Sequence, residues 1–167
     1  MSRHQADDGW AGGNAGVILR WSGGDWSAEE SPTGETLLDV AGAGPETAWA
    51  VGERGVLLRW DGGAWTVVPL GIRSALRAIH GSSPRDAWAV GDLGIAFHWD
   101  GSRWTPLPAP TRQALGWVWA FAVGDAWAVG TQGATLHWDG AAWSHVPAGR
   151  DLNPVAGVLL RALLEDL

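Results

Sequence analysis

Tryptophan returns along this chain at an interval that never slips. Trp10, Trp49, Trp88 and Trp127 form one series, Trp21, Trp60, Trp99 and Trp138 a second, and Trp26, Trp65, Trp104 and Trp143 a third, each stepping by 39 residues without an insertion. Twelve of the 14 tryptophans keep this register, and Trp117 and Trp119 stand outside it. A fixed period of about 20 to 50 residues is the mark of a solenoid, a propeller or an array, because each unit must stack on its neighbour to bury its apolar face. The phrase Ala48 to Trp65 is the clearest copy. It returns as Ala87 to Trp104 and Ala126 to Trp143, and in worn form as Gly9 to Trp26.

Within one unit the residues favour strands. Thr47 to Val51 and Val56 to Trp60 are short and β-rich, and Gly52-Glu53-Arg54-Gly55 separates them. The Asp61-Gly62 step suits the positive φ of a hairpin turn, and a third strand from Ala64 ends before Pro69. Thr36 to Val40, matched by Ala75 to Ile79 and Ala114 to Val118, adds a fourth. The expected strands are therefore A (36–40), B (47–51), C (56–60) and D (64–68). Four antiparallel strands in about 40 residues make a propeller blade, and the glycines deny the unbroken runs that helical repeats need. The predicted fold is all-β, a small β-propeller of four 39-residue, four-stranded blades over residues 8–148.

The two ends carry further information. The first repeat begins at strand B, with no strand A before it. Residues 149–167 form a C-terminal closing or oligomerisation segment with two open readings. Asn153 and Pro154 suit a helix start, with Gly157, Arg161 and Glu165 on one polar stripe. The match of Leu160-Arg161-Ala162-Leu163 to Leu76-Arg77-Ala78-Ile79 suits instead a strand that completes the first blade. Four blades closing within one chain and two chains combining into a larger ring both satisfy the pattern, since either removes exposed strand edges.

Composition narrows the partners. The net charge of −7 argues against general affinity for nucleic acid or anionic membrane, which require a basic face. There is no cysteine, hence no disulfide framework. The N-terminus lacks an apolar h-region, and the run from Val155 to Leu164, interrupted by Arg161, is too short to span a bilayer. A soluble, cytoplasmic protein is the expectation.

The string Trp49-Ala-Val-Gly-x-x-Gly55-x-Leu-Leu-Arg-Trp60-Asp-Gly-x-x-Trp65 resembles the tectonin family of lectins. Asp86-Ala87-Trp88-Ala89-Val90-Gly91 resembles bacterial Asp-box and photosystem-assembly-factor-like propeller repeats. Trp99-Asp100-Gly101-Ser102-Arg103-Trp104 is closer to the tectonin pattern, since the Asp-box proper has one more residue between its Asp and Trp. The resemblance covers residues 8 to about 148 and implies a propeller. A tectonin-like protein would bind sugars or lipopolysaccharide, whereas Asp-box propellers range from sialidases to assembly factors. The chain departs from the lectins in blade number, which is larger there.

Two sets of residues are candidates for binding. The first is Arg20, Arg59, His98 and His137, each preceding a strand-C tryptophan, with Asp61, Asp100 and Asp139 following that tryptophan in three repeats and Trp65, Trp104 and Trp143 on the outer strand. Indoles stack on sugar faces, and a basic group beside a carboxylate can hold hydroxyls. The same residues have structural readings: Asp caps its own turn, the cation covers the indole, and the tryptophans fill space between blades. The second set lies in the variable B–C turns, Asn14, Glu53, Arg54, Asp92, Thr131 and Gln132, near Arg73 and Arg112 of the D–A loops and near Arg77. Loops carried by a rigid sheet are where binding residues concentrate.

Catalysis finds no support. There is no tyrosine for a sialidase-like nucleophile, no Gly-x-Ser-x-Gly elbow and no phosphate-binding glycine loop. His98 and His137 fall in different repeats and make no metal set. The expected function is non-catalytic recognition without metal or cofactor: a tectonin-like carbohydrate binder first, and a protein-interaction or assembly scaffold, self-assembling included, as the alternative. The partner would be a glycan or a protein, with a homo-oligomer possible on the same pattern and neither nucleic acid nor membrane insertion expected.

Overall fold

The computed structural model describes residues 8–44 and 46–147. They form four antiparallel sheets, one per repeat, in chain order. The first has three strands, β1 (Asp8–Gly12), β2 (Ile18–Ser22) and β3 (Trp26–Glu29). The second is β4 (Leu37–Gly44), β5 (Thr47–Gly52), β6 (Leu57–Trp60) and β7 (Trp65–Val67). The third is β8 (Leu76–Ser83), β9 (Asp86–Gly91), β10 (Ala96–Trp99) and β11 (Trp104–Pro106), and the fourth β12 (Leu115–Ala122), β13 (Asp125–Gly130), β14 (Thr135–Trp138) and β15 (Trp143–His145). Strands pair strictly with their sequence neighbours, as in the blades of a propeller. The expected strand A missing from the first repeat is also missing from its described sheet. The tail, 149–167, lies outside the described residues, so both readings of it stand where the sequence left them.

Strand A is longer than its sequence suggests. Instead of stopping near Val40, β4 runs on to Gly44, because register shifts between Leu37 and Asp39 and between Gly42 and Gly44 absorb the irregular residues without breaking the ladder. The same two shifts recur in the third and fourth blades. What reads as an A–B loop is thus mostly strand, closed by a tight turn.

The Gly-x-x-Gly turns use their glycines for two different reasons. The first of each pair has extended backbone, but strand A crosses it so closely that a Cβ on Gly52, Gly91 or Gly130 would sit 2.2, 2.0 or 2.2 Å from the carbonyl oxygen of Thr36, Ala75 or Ala114. The second, Gly55, Gly94 or Gly133, has φ of +73°, +72° or +75°. Between them Arg54, Leu93 and Gln132 also adopt φ of 54° to 60°, a conformation that costs an L-residue roughly 1–2 kcal/mol.

Each blade turns one face toward the preceding blade and the other toward the following one. Alternation along strand B decides which side chain goes where. Ala48 and Ala50 pack back against Ile18 and Trp10 of the first blade, while Trp49 and Val51 pack forward against Leu76, Phe97 and Trp99 of the third. Small residues on one side and a tryptophan on the other let adjacent sheets approach and still fill the gap. Innermost strands are tied directly: the Asp39 carboxylate accepts from the Ile79 N–H at 2.8 Å and from Val40 N–H at 2.9 Å, and His80 Nδ1 accepts from the Ala120 N–H at 3.1 Å.

Candidate functional site

Three of the four strand-B tryptophans enter a notch made by two tryptophans of the following blade. Trp10 lies 5.0 Å from Trp60 and 4.9 Å from Trp65, Trp49 lies 5.0 Å from both Trp99 and Trp104, and Trp88 lies 5.0 Å from Trp138 and 4.8 Å from Trp143, measured between ring centroids. The contacts with Trp65, Trp104 and Trp143 are edge-on, at 87°, 87° and 73°, the arrangement that the ring quadrupole favours. Trp65 and Trp143 are buried and Trp104 half-buried. The faces these outer-strand indoles would offer a sugar are turned into blade junctions.

The position before each strand-C tryptophan serves the same junctions in two chemistries. Arg20 holds its guanidinium 5.4 Å from the rings of both Trp10 and Trp60, and Arg59 sits 5.5 Å from Trp49 and 5.2 Å from Trp99, so each cation bridges two blades. His98 and His137 lie instead on the tryptophan of their own blade, 4.6 Å from Trp88 and from Trp127. Their Nε2 atoms meet Asp86 at 2.7 Å and Asp125 at 2.8 Å. Beside Arg59 the Asp86 position is Thr47, whereas beside Arg20 it is Asp8. Asp86 is fully buried and also accepts from the Ser82 hydroxyl. Burial pushes its carboxyl up, yet the bonds from His98 and Ser82 outweigh it and hold the group below its ordinary value.

Asp61, Asp100 and Asp139 cap their own C–D turns. Asp61 accepts from the N–H groups of Gly63 and Ala64, and Asp139 from those of Ala141 and Ala142, all at 2.9 Å. Asp100 accepts from the Ser102 hydroxyl at 2.7 Å and from the N–H groups of Ser102 and Arg103. The Ser102 hydroxyl, followed by those N–H groups, draws the Asp100 carboxyl down to about 2. Asp61 and Asp139 are lowered by their two turn N–H groups as well. The carboxylates and imidazoles of this first candidate set are thus engaged within their own blades, the arginines lie over junction rings, and the Nε1 atoms of Trp65, Trp104 and Trp143 are buried without a hydrogen-bond partner among the described residues; the set does not converge on a common site.

The second set does gather on one rim. Asn14, Glu53, Arg54, Asp92, Thr131 and Gln132 occupy the four B–C turns, and the D–A loops beside them carry Arg73 and Arg112. Arg54 pairs with Glu35 at 3.4 Å and Arg77 with Asp92. Gln113 links Gln132 and Thr131, donating to the Gln132 side-chain oxygen at 3.0 Å and accepting from the Thr131 hydroxyl at 3.1 Å. Arg73 and Arg112 are exposed and enter no ion pair among the described residues. One cavity on this rim is lined by Arg54 and Arg73, and another by Arg77, Gly116, Val129 and Thr131. The opposite rim is acidic, with Asp25, Glu46, Asp61, Asp100 and Asp139 against Arg85 and Arg103.

Among the described residues no group of three His, Cys, Asp or Glu is placed to hold a metal ion, and no helix is long and apolar enough to cross a membrane.

No family model and no curated protein matches this chain. Solved structures do. YCF48 bound to D1 peptide superposes with a TM-score of 0.61 at 24% identity, covering 68% of this chain and 41% of that one. YCF48 from Cyanidioschyzon merolae gives 0.65 at 19% identity, covering 90% and 56%. An ancestral GH74 enzyme gives 0.70 at 13% identity, covering 90% and 24%. The shared fold is the β-propeller. This chain spans about half the length of the two YCF48 chains, or less, and a quarter of the GH74 enzyme. At these identities the likeness carries fold alone; tectonin or Asp-box membership is not part of it.

Sequence reasoning missed three features. The Asp86–His98 and Asp125–His137 pairs recur at one spacing in two adjacent repeats, a signal that the sequence carries but that Asp8, at the same spacing from Arg20, blurs. His80 looks unaligned, but a side chain that bonds the next blade's backbone has no counterpart within its own. The aromatic run Trp117, Trp119 and Phe121 on β12 breaks the repeat at the last blade of the described array.

Proposed function

We propose that this chain is a non-catalytic recognition propeller that binds an acidic segment of a partner protein on the rim of the B–C and D–A loops. The observation that carries this reading is Arg73 and Arg112, exposed on a rim where Arg54 and Arg77 stand beside Glu35, Glu53 and Asp92, in a chain whose net charge is −7. Two of the four, Arg73 and Arg112, form no ion pair among the described residues, and the Arg54–Glu35 and Arg77–Asp92 pairs are solvent-exposed and so contribute little. Arginine binds carboxylates in bidentate fashion, and the acidic opposite rim repels the same ligand. A YCF48 chain of like fold is known with a peptide bound, which supports a peptide-sized ligand for such a scaffold. The carbohydrate reading is less well supported, because Trp65, Trp104 and Trp143 spend their ring faces in the junctions.

Binding is tested by titrating labelled acidic and basic peptides against the chain at two salt concentrations. Acidic peptides bind, salt weakens them, and replacing Arg54, Arg73, Arg77 and Arg112 by Glu abolishes binding while the far-ultraviolet circular dichroism is unchanged. Replacing Glu53, Arg54, Asp92 and Thr131 together has the same effect if the B–C turns contribute. Equal binding of basic peptides, or indifference to the arginine changes, refutes the reading. A response to neutral, acidic or lipopolysaccharide-type glycans on an array, with none to peptides, restores the lectin.

A further inference from the structure

We propose that two copies of this chain close a single ring, the fourth blade of each docking on the first blade of the other. Three junctions within the chain follow one rule: a strand-B tryptophan enters the notch between the strand-C and strand-D tryptophans of the next blade. The fourth set of rings exists but is not assembled. Trp127 meets its own blade's His137, and among the described residues no ring contact joins it to Trp21 or Trp26. Those two touch each other at 5.6 Å, as Trp60 and Trp65 do at 5.8 Å, so the notch is formed, and no ring of the described residues fills it. Trp26 is 51% exposed, whereas its equivalents Trp65 and Trp143 are 4% and 7% exposed. Plug and notch therefore lie at opposite ends of the same array, each in the form that its three counterparts use.

The inner strand identifies which blade the plug expects. On the forward face of strand A the second blade carries Asp39, Ala41 and Ala43, and the third Ala78, His80 and Ser82, all sized to lie against the strand A that follows. At the same positions β12 carries Trp117, Trp119 and Phe121. Trp117 and Trp119 are half-buried and stacked at 5.8 Å, and His80 stacks on Trp119 at 3.9 Å. Rings of this size suit a neighbour that supplies no inner strand at that level. The first blade is such a neighbour, with three strands among the described residues.

The two ends are not joined within one chain: among the described residues the main sheet-to-sheet packing runs from the first blade to the second, the second to the third and the third to the fourth, and no ring contact joins Trp127 to Trp21 or Trp26. A plug-and-notch contact is heterologous, and two such contacts related by a twofold axis close into a ring without exposed ends. The occupant of the Trp21–Trp26 notch is thus a second copy, and the interface continues the one the chain builds three times internally.

Light scattering on the full chain tests this. The expected mass is twice the 17.6 kDa of one chain. Trp26→Ala and Trp127→Ala each weaken pairing by about thirty-fold or more, as loss of a central interface tryptophan does, and shift the mass to that of one chain. Trp26→Ser at the exposed side of the contact is the fallback should Trp127→Ala fail to fold, and circular dichroism checks each variant. A single-chain mass for the unmodified protein at micromolar concentration overturns the proposal. So does a double mass that neither notch nor plug substitution changes.

Discussion

Trp88→Ala is the sharpest test of how this molecule is held together. The side chain is fully buried, and three rings contact it: Trp138 at 5.0 Å, Trp143 at 4.8 Å and His98 at 4.6 Å. Removing a buried aromatic loses roughly 150–250 Å² of apolar burial at about 25 cal/mol per Å², or about 4–6 kcal/mol, and measured Trp→Ala losses in cores fall at about 3–5 kcal/mol. Against a total of about 5–15 kcal/mol for a domain, that takes a large share of the stability. Urea unfolding followed by circular dichroism is the appropriate assay, since tryptophan emission averages over 13 other indoles. A double-mutant cycle with Trp143→Ala isolates the edge contact, with a coupling of about 1 kcal/mol expected. Trp26→Ala, at an exposed equivalent of Trp143, costs no more than about 1 kcal/mol when measured at low concentration. A loss below about 1.5 kcal/mol for Trp88→Ala, or equal losses at Trp26 and Trp88, would refute the view that the junction rings are the main adhesive.

Asp86→Ala leaves His98 and Ser82 without their buried acceptor and destabilises by about 1.5–3 kcal/mol in urea melts at pH 7. Its carboxyl lies below the ordinary value in the fold, so its stabilisation is fully present above about pH 3.9, the unfolded value, and is lost as pH falls through the folded value. The variant therefore shows a flatter acid limb than the parent. Burial lowers the His80 imidazole, with Asp86 opposing, and the ring is neutral when its Nδ1 accepts from Ala120. The unfolded chain then takes up the extra proton first, and stability falls as pH drops below about 6.5; His80→Gln, which does not titrate, removes that slope. Gly91→Ala destabilises by more than about 2 kcal/mol, since its Cβ would lie 2.0 Å from the Ala75 carbonyl. Leu93→Asn, at φ 60° and 65% exposed, gains up to about 1 kcal/mol in the same melts, because Asn tolerates the left-handed region better than Leu.

The repeat was legible because its parts are local. Strand B, the Gly-x-x-Gly turn and the Asp-Gly hairpin are each specified within a few residues, and a fixed period repeats the message. The inner strand was less legible, since its length depends on bulges at Leu37/Asp39 and Gly42/Gly44 that propensity does not encode. The candidate residues show the limit most clearly. Arg59, His98 and Asp100 stand side by side in the repeat pattern, yet one bridges two blades, one pairs with a buried carboxylate, and one caps a turn. A linear motif cannot tell these apart, because what separates them is which face of a strand each occupies and what the next blade presents there.

That distinction bears on the proposed function. A repeated residue meets a repeated environment, so it is retained for the junction; a residue that differs between repeats is released from that duty. Arg54, Leu93 and Gln132 differ while their φ angles, 54°, 60° and 55°, agree to within a few degrees, so the scaffold holds position and lets chemistry vary. Trp117 and Trp119 differ instead on a blade face, which on the proposed pairing meets the first blade of a second copy. Departures from the repeat on a rim thus read as ligand chemistry, and departures on a blade face read as assembly. The separation is physical: rim substitutions should change binding with the mass unmoved, and substitutions at Trp26 or Trp127 should change the mass first.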